Sequence, residues 1–313
     1  MKIVFLDRQS IGEDLDLSEF FELGDVKIYE YSEPGQIPER VKDADVIILN
    51  KMPINESTVG EAENLKLVCV TATGTNNLDK EFLARRGIEW RNVAGYSTDA
   101  VAQHTFALLF YLMEHLNYYD DYVKTEKYVN DRMFTHFDMH FRELAGKEWG
   151  IIGLGNIGRR VARIAECFGA HVKYYSTSGK NHSPEFTEVG FDELLETSDI
   201  VSIHAPLDEN TYHLMDRAAF KKMKRDAILI NVGRGPVIVE EDLAEALENG
   251  EIASAGIDVI DVEPMVPENP LRRIKDSDKL IITPHIAWAA TEARQRLMRT
   301  IAKQIREWKN ENS

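Results

Sequence analysis

Short apolar runs alternate with amphipathic stretches along most of the chain. In the first part the runs are KIVFL (2–6), VKIYE (26–30), DVIILN (45–50), LKLVCV (65–70) and IEWRNV (88–93). They recur about every 20 residues, which leaves room for one helix or loop between strands. From residue 148 the rhythm resumes with EWGIIGL, HVKYYS, DIVSIHAP, AILINV, SAGIDV and KLIITPH. Strands that alternate with helices in this way predict an α/β protein with two doubly wound parallel sheets.

Between the two series lies a continuous helical pattern, Ser97–Val123. From Ala100 to Leu116 it is apolar on nearly every side, so it is expected to be buried between domains or subunits. An irregular, aromatic-rich arm follows (126–144), and the chain ends in one more helix from Thr291 whose tip is charged. There is no internal repeat, heptad run or low-complexity tract.

Composition narrows the class. The chain has 313 residues, 43% of them hydrophobic, enough to bury two domain cores. Its net charge of −16 opposes a phosphate backbone, which excludes nucleic acid as the expected partner. No apolar run approaches the ~18 residues of a membrane span, and MKIVFLD opens a strand rather than a signal peptide. Cys69 and Cys167 both read as buried thiols with no disulfide framework. A cytoplasmic protein is expected.

The stretch GIIGLGNIGRR carries G-x-G-x-x-G at Gly153, Gly155 and Gly158, after an apolar strand and before an amphipathic helix. That context predicts a dinucleotide site. Gly153 makes the tight turn, Gly155 admits the pyrophosphate, and Gly158 lets helix and strand pack closely. The helix-start N–H groups near Asn156 and Ile157 bind the phosphates. The next strand should end in an acidic residue that holds the adenosine ribose, but it ends in Ser176. Without a carboxylate to repel a 2′-phosphate, both NAD and NADP stay open.

Ligands in parallel α/β sheets sit beyond the carboxyl ends of the strands. After three strands of the second series stand Arg234, then Asp258, Asp261 and Glu263, then His285. This set suits hydride transfer to a 2-oxo acid. His285 can donate or accept the proton, Glu263 can orient its ring, and Arg234 can fork onto the substrate carboxylate. His204 also lies at a strand end, and the HAP segment there is expected to line the nucleotide. His136 and His140 have i, i+4 spacing but no third ligand, so no metal is expected. His104 and His115 sit on the apolar helix and read as core histidines.

These motifs resemble, in order, those of the D-isomer-specific 2-hydroxyacid dehydrogenase family, from about Asn50 to Arg306. The matching stretches are GLGNIG (153–158), Asn231–Leu247, Ala255–Pro264 and Thr283–Leu297, with NVAGYSTDAVAQHTFALL at Asn92–Leu109. The resemblance implies Arg234, Glu263 and His285 as the catalytic set. It implies cofactor contacts from Gly153, Gly155, Asn156, Ile157, Gly158, Ser176, His204, Pro206, Thr211, Asn231, Val232, Gly233 and His285, with Asp258 near the nicotinamide carboxamide. The TATGTNN loop resembles the turn that binds the substrate carboxylate, through Ala72, Thr73 and Gly74. A glycine-containing turn after a strand can form such an anion nest. Lys51, after another strand, would add positive charge.

The family also implies a Rossmann cofactor domain (99–287) inserted into a flavodoxin-like substrate domain (1–98 and 288–313), with the active site in the cleft. It implies a homodimer in which the long helix and the arm pack across the interface. TPHIAWA, with Trp288, looks most like the glycerate dehydrogenase and hydroxypyruvate reductase branch. The expected substrate is a small 2-oxo or 2-hydroxy acid, D-glycerate/hydroxypyruvate or glyoxylate. D-lactate or a branched D-2-hydroxy acid is the alternative, and a non-catalytic cofactor sensor on the same fold is the third reading.

Overall fold

The computed structural model describes residues 1–312. The chain forms two compact units. One comprises Met1–Ser97 with the C-terminal stretch from Ala289, and the other is Thr98–Trp288.

The first unit is built on a five-stranded parallel sheet: β1 (Lys2–Phe5), β2 (Asp25–Ile28), β3 (Val46–Leu49), β4 (Leu67–Val70) and β5 (Glu89–Arg91), in the order β2-β1-β3-β4-β5. VIIL of β3 and LVCV of β4 are buried at every position, because a central parallel strand is covered on both faces. Edge strand β2 is only partly covered. The helix Thr291–Glu311 belongs to this unit. Its buried residues Ala293, Leu297, Ile301, Ile305 and Trp308 recur every three or four positions, the spacing of one helix face. Arg296 donates to the Tyr96 carbonyl at 2.9 Å, and Arg91 to the Gln304 carbonyl at 3.0 Å. The order of the sheet reverses between β1 and β3, so the loops after those strands open at its topological switch point.

The second unit has a seven-stranded parallel sheet: β6 (Glu148–Ile152), β7 (His171–Tyr175), β8 (Thr187–Glu188), β9 (Ile200–Ile203), β10 (Ile228–Asn231), β11 (Ser254–Ile257) and β12 (Leu280–Ile282). The order β12-β11-β10-β9-β6-β7-β8 is that of a dinucleotide-binding sheet extended by one strand. Its reversal lies between β6 and β9, where Ile152 pairs with Ile203. Strand β8 was not expected from the sequence; it is two exposed residues at the edge.

The long helical pattern is two helices, not one. Thr98–Met113 ends at a break where His115 has φ 52°, and Leu116–Lys124 follows. The first helix lines the core of its own unit, where Val101, Phe106, Leu109 and Leu112 pack with Trp149, Val161 and Ile230. The second helix buries no residue.

Two further expectations are corrected. Cys167 is exposed, because the buried face of the helix Asn156–Cys167 runs through Gly158, Val161, Ala162 and Ala165, and position 167 points away from it. Cys69 is buried in β4, where burial pushes its thiol up to about 12. His104 and His115 are half-buried rather than core residues, and each is hydrogen-bonded, His115 to Asp278 at 3.2 Å. No helix among the described residues is long and apolar enough to cross a membrane.

Candidate active site

The glycine loop leaves β6 and turns at Gly153, whose φ is +90°. A Cβ there would lie 2.7 Å from the backbone of Ala205, so loop and β9 end approach as closely as only glycine allows. A Cβ on Gly158 would meet the Gly153 carbonyl at 2.3 Å. Gly155 differs: nothing lies within 4 Å of a Cβ there, and it opens the helix Asn156–Cys167 without a side-chain cap. Uncapped helix-start N–H groups beside open space form an anion cradle, so these residues fit a dinucleotide pyrophosphate.

Two buried polar atoms near this rim have no hydrogen-bond partner among the described residues: Ser176 Oγ at the end of β7 and His204 Nδ1 at the end of β9. His204 Nε2 lies 3.0 Å from Ser202 Oγ, which accepts the Trp149 indole N–H at 2.8 Å. Burial pushes the His204 imidazole down to about 3, so it is neutral and offers a hydrogen bond rather than a charge.

Three residues expected to touch the cofactor are buried and hydrogen-bonded within the protein. Thr211 is fully buried; its hydroxyl donates to the Pro206 carbonyl at 2.7 Å and accepts from Asp208 N–H at 2.8 Å, shaping that loop. Asn231 is likewise buried, donating to the Arg234 carbonyl and accepting from Gly233 N–H, each at 3.0 Å. It thereby folds the turn through Val232 and Gly233. The Asp258 side chain has no exposed surface. Its carboxylate accepts from Thr283 Oγ1 at 2.6 Å and from the N–H groups of Ile286 and Ala287, each at 2.9 Å.

That last arrangement positions His285. The segment 283–287 wraps around Asp258, and His285 N–H donates to the Asp258 carbonyl at 2.8 Å. His285 itself has φ +54°, an unfavourable backbone for a residue with a side chain, sustained by these bonds. Its Nδ1 lies 2.7 Å from Glu263 Oε2. Nε2 is the ring nitrogen left for a substrate. Arg234 sits after β10, where its Nη1 donates to the Gly233 carbonyl at 2.8 Å. A Cβ on Gly235 would collide with the Ile260 backbone at 2.0 Å, so the arginine loop lies directly against the loop that carries Glu263. The structure thus joins Glu263 to His285 by a hydrogen bond and sets the Arg234 turn beside them.

In the other unit, Lys51 is exposed on the loop after β3. Two features absent from the sequence reading hold this loop. The buried Asp7 carboxylate, just past β1, accepts from Asn50 N–H and Lys51 N–H at 2.9 Å. The Asn77 amide donates to the carbonyls of Met52 and Asn50 at 2.8 and 3.2 Å. The strand-end rule, applied to KIVFLD as it was to the second series, points to Asp7. Burial raises the Asp7 carboxyl above its usual range, against the N–H donors and the Lys51 charge, which lower it. In the 72–74 turn, Thr73 Oγ1 donates to the Val93 carbonyl at 3.1 Å, and Asn92 donates to the Thr73 carbonyl at 2.7 Å. Those anchors leave the Thr73 and Gly74 N–H groups without a backbone acceptor. His136 of the arm stacks on Tyr122 at 3.7 Å and shares a hydrogen bond with Tyr118 Oη; among the described residues no cluster of three His, Cys, Asp or Glu is placed to hold a metal.

Residues 106–287 match the family model for the D-isomer specific 2-hydroxyacid dehydrogenase NAD binding domain. A putative 2-hydroxyacid dehydrogenase of Haemophilus influenzae is 37% identical, over 98% of each chain. A hydroxypyruvate reductase of Blautia hydrogenotrophica is 35% identical, over 98% of this chain and 97% of its own. Among solved structures, an acyclic imino acid reductase in complex with NADPH and D-Arg superposes with a TM-score of 0.87 at 27% identity, covering 99% of this chain and 98% of that one. D-lactate dehydrogenase from Aquifex aeolicus, complexed with NAD and lactic acid, does so with a TM-score of 0.85 at 26% identity, covering 98% and 95%. The chain therefore belongs to the D-isomer-specific 2-hydroxyacid dehydrogenase family and is an NAD(P)-dependent oxidoreductase of small 2-hydroxy acids.

Proposed function

We propose that the protein reduces hydroxypyruvate or glyoxylate to the corresponding 2-hydroxy acid, with His285 as general acid. The observation that carries this reading is the 2.7 Å contact between Glu263 Oε2 and His285 Nδ1. A carboxylate on Nδ1 holds that nitrogen as N–H and fixes the ring orientation, so that Nε2 can face the substrate oxygen and exchange a proton with it. In oxidation the same Nε2 removes the hydroxyl proton. Arg234 forks onto the substrate carboxylate and polarises the adjacent carbonyl. In the first unit the Thr73 and Gly74 amides form an anion nest, and Lys51 adds positive charge on a loop of the same sheet. The first unit is thus the substrate domain and the second the cofactor domain. The glycine loop cradles the pyrophosphate, with Ser176 and His204 beside it. When bound, the nicotinamide supplies or takes up the hydride.

A homodimer fits the arm. Phe134, Phe137 and Val129 are 85, 70 and 77% exposed, and an exposed apolar cluster of this kind marks a contact surface. A cytoplasmic location fits the two free cysteines.

A panel of hydroxypyruvate, glyoxylate, pyruvate and a branched 2-oxo acid, each run with NADH and NADPH, tests the assignment. The D-lactate dehydrogenase likeness makes pyruvate the competing substrate. The highest kcat/KM is expected for hydroxypyruvate or glyoxylate. His285→Ala should lose at least ~10²-fold in rate, the usual scale of general acid catalysis. Undiminished turnover by that variant sinks the reading.

A further inference from the structure

His104 is the one histidine that the chemistry above leaves without a part while it sits against the catalytic loop. It lies in the first turns of the helix Thr98–Met113, its side chain 18% exposed. Its Nε2 is 2.9 Å from Thr283 Oγ1 and 3.5 Å from Asp258 Oδ1. Proton counting decides the direction of each bond. The Thr283 hydroxyl has one proton, and it is 2.6 Å from a carboxylate oxygen, which only accepts. Thr283 Oγ1 therefore donates to Asp258 and must accept from His104, which fixes the proton on His104 Nε2. Burial lowers the His104 imidazole below its ordinary value, and the opposing pull of Asp258 is the smaller effect. The ring is thus a neutral Nε2–H donor at the head of a chain that runs His104 to Thr283 to Asp258.

The far end of this chain is the His285 backbone. Asp258 holds the amides of Ile286 and Ala287 through its side chain and that of His285 through its carbonyl. Asp258 Oδ1 takes both the Thr283 hydroxyl and the Ile286 amide. A shift at Thr283 is therefore felt in the turn that keeps His285 at φ +54°.

We propose that His104 and Thr283 are positioning residues that hold His285 in its working geometry through Asp258. This rests on His285 being the acid–base group. The chain spans three separate elements, so no local feature of any one of them supplies the same restraint. Glu263 fixes the ring at Nδ1, and the His104 chain fixes the backbone beneath it.

The test compares His104→Leu, His104→Gln, Thr283→Val and the Leu/Val double variant with the wild type, using hydroxypyruvate and the preferred cofactor. His104→Leu keeps bulk but removes the donor, whereas His104→Gln retains an N–H for Thr283. His104→Leu and Thr283→Val should each lower kcat about tenfold, less than the ~10²-fold that a 1 Å misplacement can produce. Cofactor affinity, read by NADH or NADPH fluorescence titration, should stay within about twofold because the loss is in orientation and not in binding. His104→Gln should recover most of the rate. The double variant should be no slower than the slower single one, because both break one chain. Unchanged kcat in His104→Leu, a Gln variant as slow as the Leu variant, or losses that multiply in the double variant would each overturn the proposal. Should His104→Leu fail to fold, Thr283→Val decides: its kcat must fall while cofactor affinity holds. His285→Ala, run alongside, reports on the catalytic reading separately; if it turns over normally, that reading fails whatever His104 does.

Discussion

The two units use the same device on their sheet rims, with different reinforcement. In each, an aspartate just past a strand end is buried and its carboxylate grips the backbone of the loop after the neighbouring strand. Asp7 follows β1 and holds Asn50 and Lys51 after β3; Asp258 follows β11 and holds Ile286 and Ala287 after β12. A buried carboxylate is tolerated only where donors surround it, and the amides of a tight turn are the densest donors available. Asp7 is met by backbone amides. Asp258 is met by amides and also by the Thr283 hydroxyl, with His104 behind it. The extra support is found where the gripped loop carries His285, the side chain proposed to move a proton. Where the loop presents a lysine and backbone amides, looser control suffices.

The largest effect that could break this comparison is expected from Asp258→Asn. The amide would turn an N–H₂ group toward N–H donors, leaving buried amides unpaired. Removing one partner of such a buried charged cluster costs about 3 kcal/mol or more. Thermal unfolding should register that loss, and kcat should fall by more than ~10²-fold, beyond the effect of losing a single general acid contact. A variant with near-normal kcat would mean that the 283–287 turn holds itself.

Asp7→Asn should act more weakly and on a different parameter. Unpaired amides at Asn50 and Lys51 cost about 1–3 kcal/mol of stability. On the proposed substrate-binding role of this loop, KM for the 2-oxo acid should rise about tenfold with kcat within about twofold. Steady-state kinetics on the two variants side by side check the split. An equal fall in kcat for both would erase the distinction between the rims.

The pH dependence of stability should also differ, with opposite signs in the two units. His204 is held near 3, below its unfolded value of 6.5, so the unfolded chain binds the extra proton first. The stability of the second unit is then complete above pH 6.5 and falls as pH drops from 6.5 toward 3, by about 1.4 kcal/mol per pH unit for this one group. His104, also lowered, adds in the same direction. Asp7 is raised above its unfolded value of 3.8, so its contribution in the first unit is lost as pH rises through the folded value and regained on acidification. Hydrogen exchange between pH 7 and 4.5 should show amides of the second unit opening first. Earlier opening of β1 and β3 would contradict the assignment.

Much of the fold is legible in the sequence because parallel strands buried on both faces leave continuous apolar runs, as VIIL and LVCV do. Strand β8 left no such trace; two exposed residues at an edge owe their conformation to β7 alone. The break at His115 was hidden because the apolar periodicity continues across it. Cys167 was misjudged from its apolar neighbours, when helix phase decides which side of Asn156–Cys167 meets solvent. In the site, Arg234, Glu263 and His285 stood out as candidates from their place after strands, and the structure joins Glu263 to His285. Thr211, Asn231 and Asp258 were identifiable as belonging there, but their hydrogen bonds to the frame were not, since a side chain's partner is not written beside it.

The sequence by itself determined the alternation of strand and helix, the dinucleotide loop, the order of the motifs and the candidates for the reacting groups. Each of these is a local pattern, set by residue type and short spacing. Only the tertiary structure decided which groups meet: Glu263 with His285 across 22 positions, Asp7 with Lys51 across 44, and His104 with Thr283 across 179. A hydrogen bond depends on distance and direction in space, and residues brought together by sheet order carry no mark of their partner along the chain.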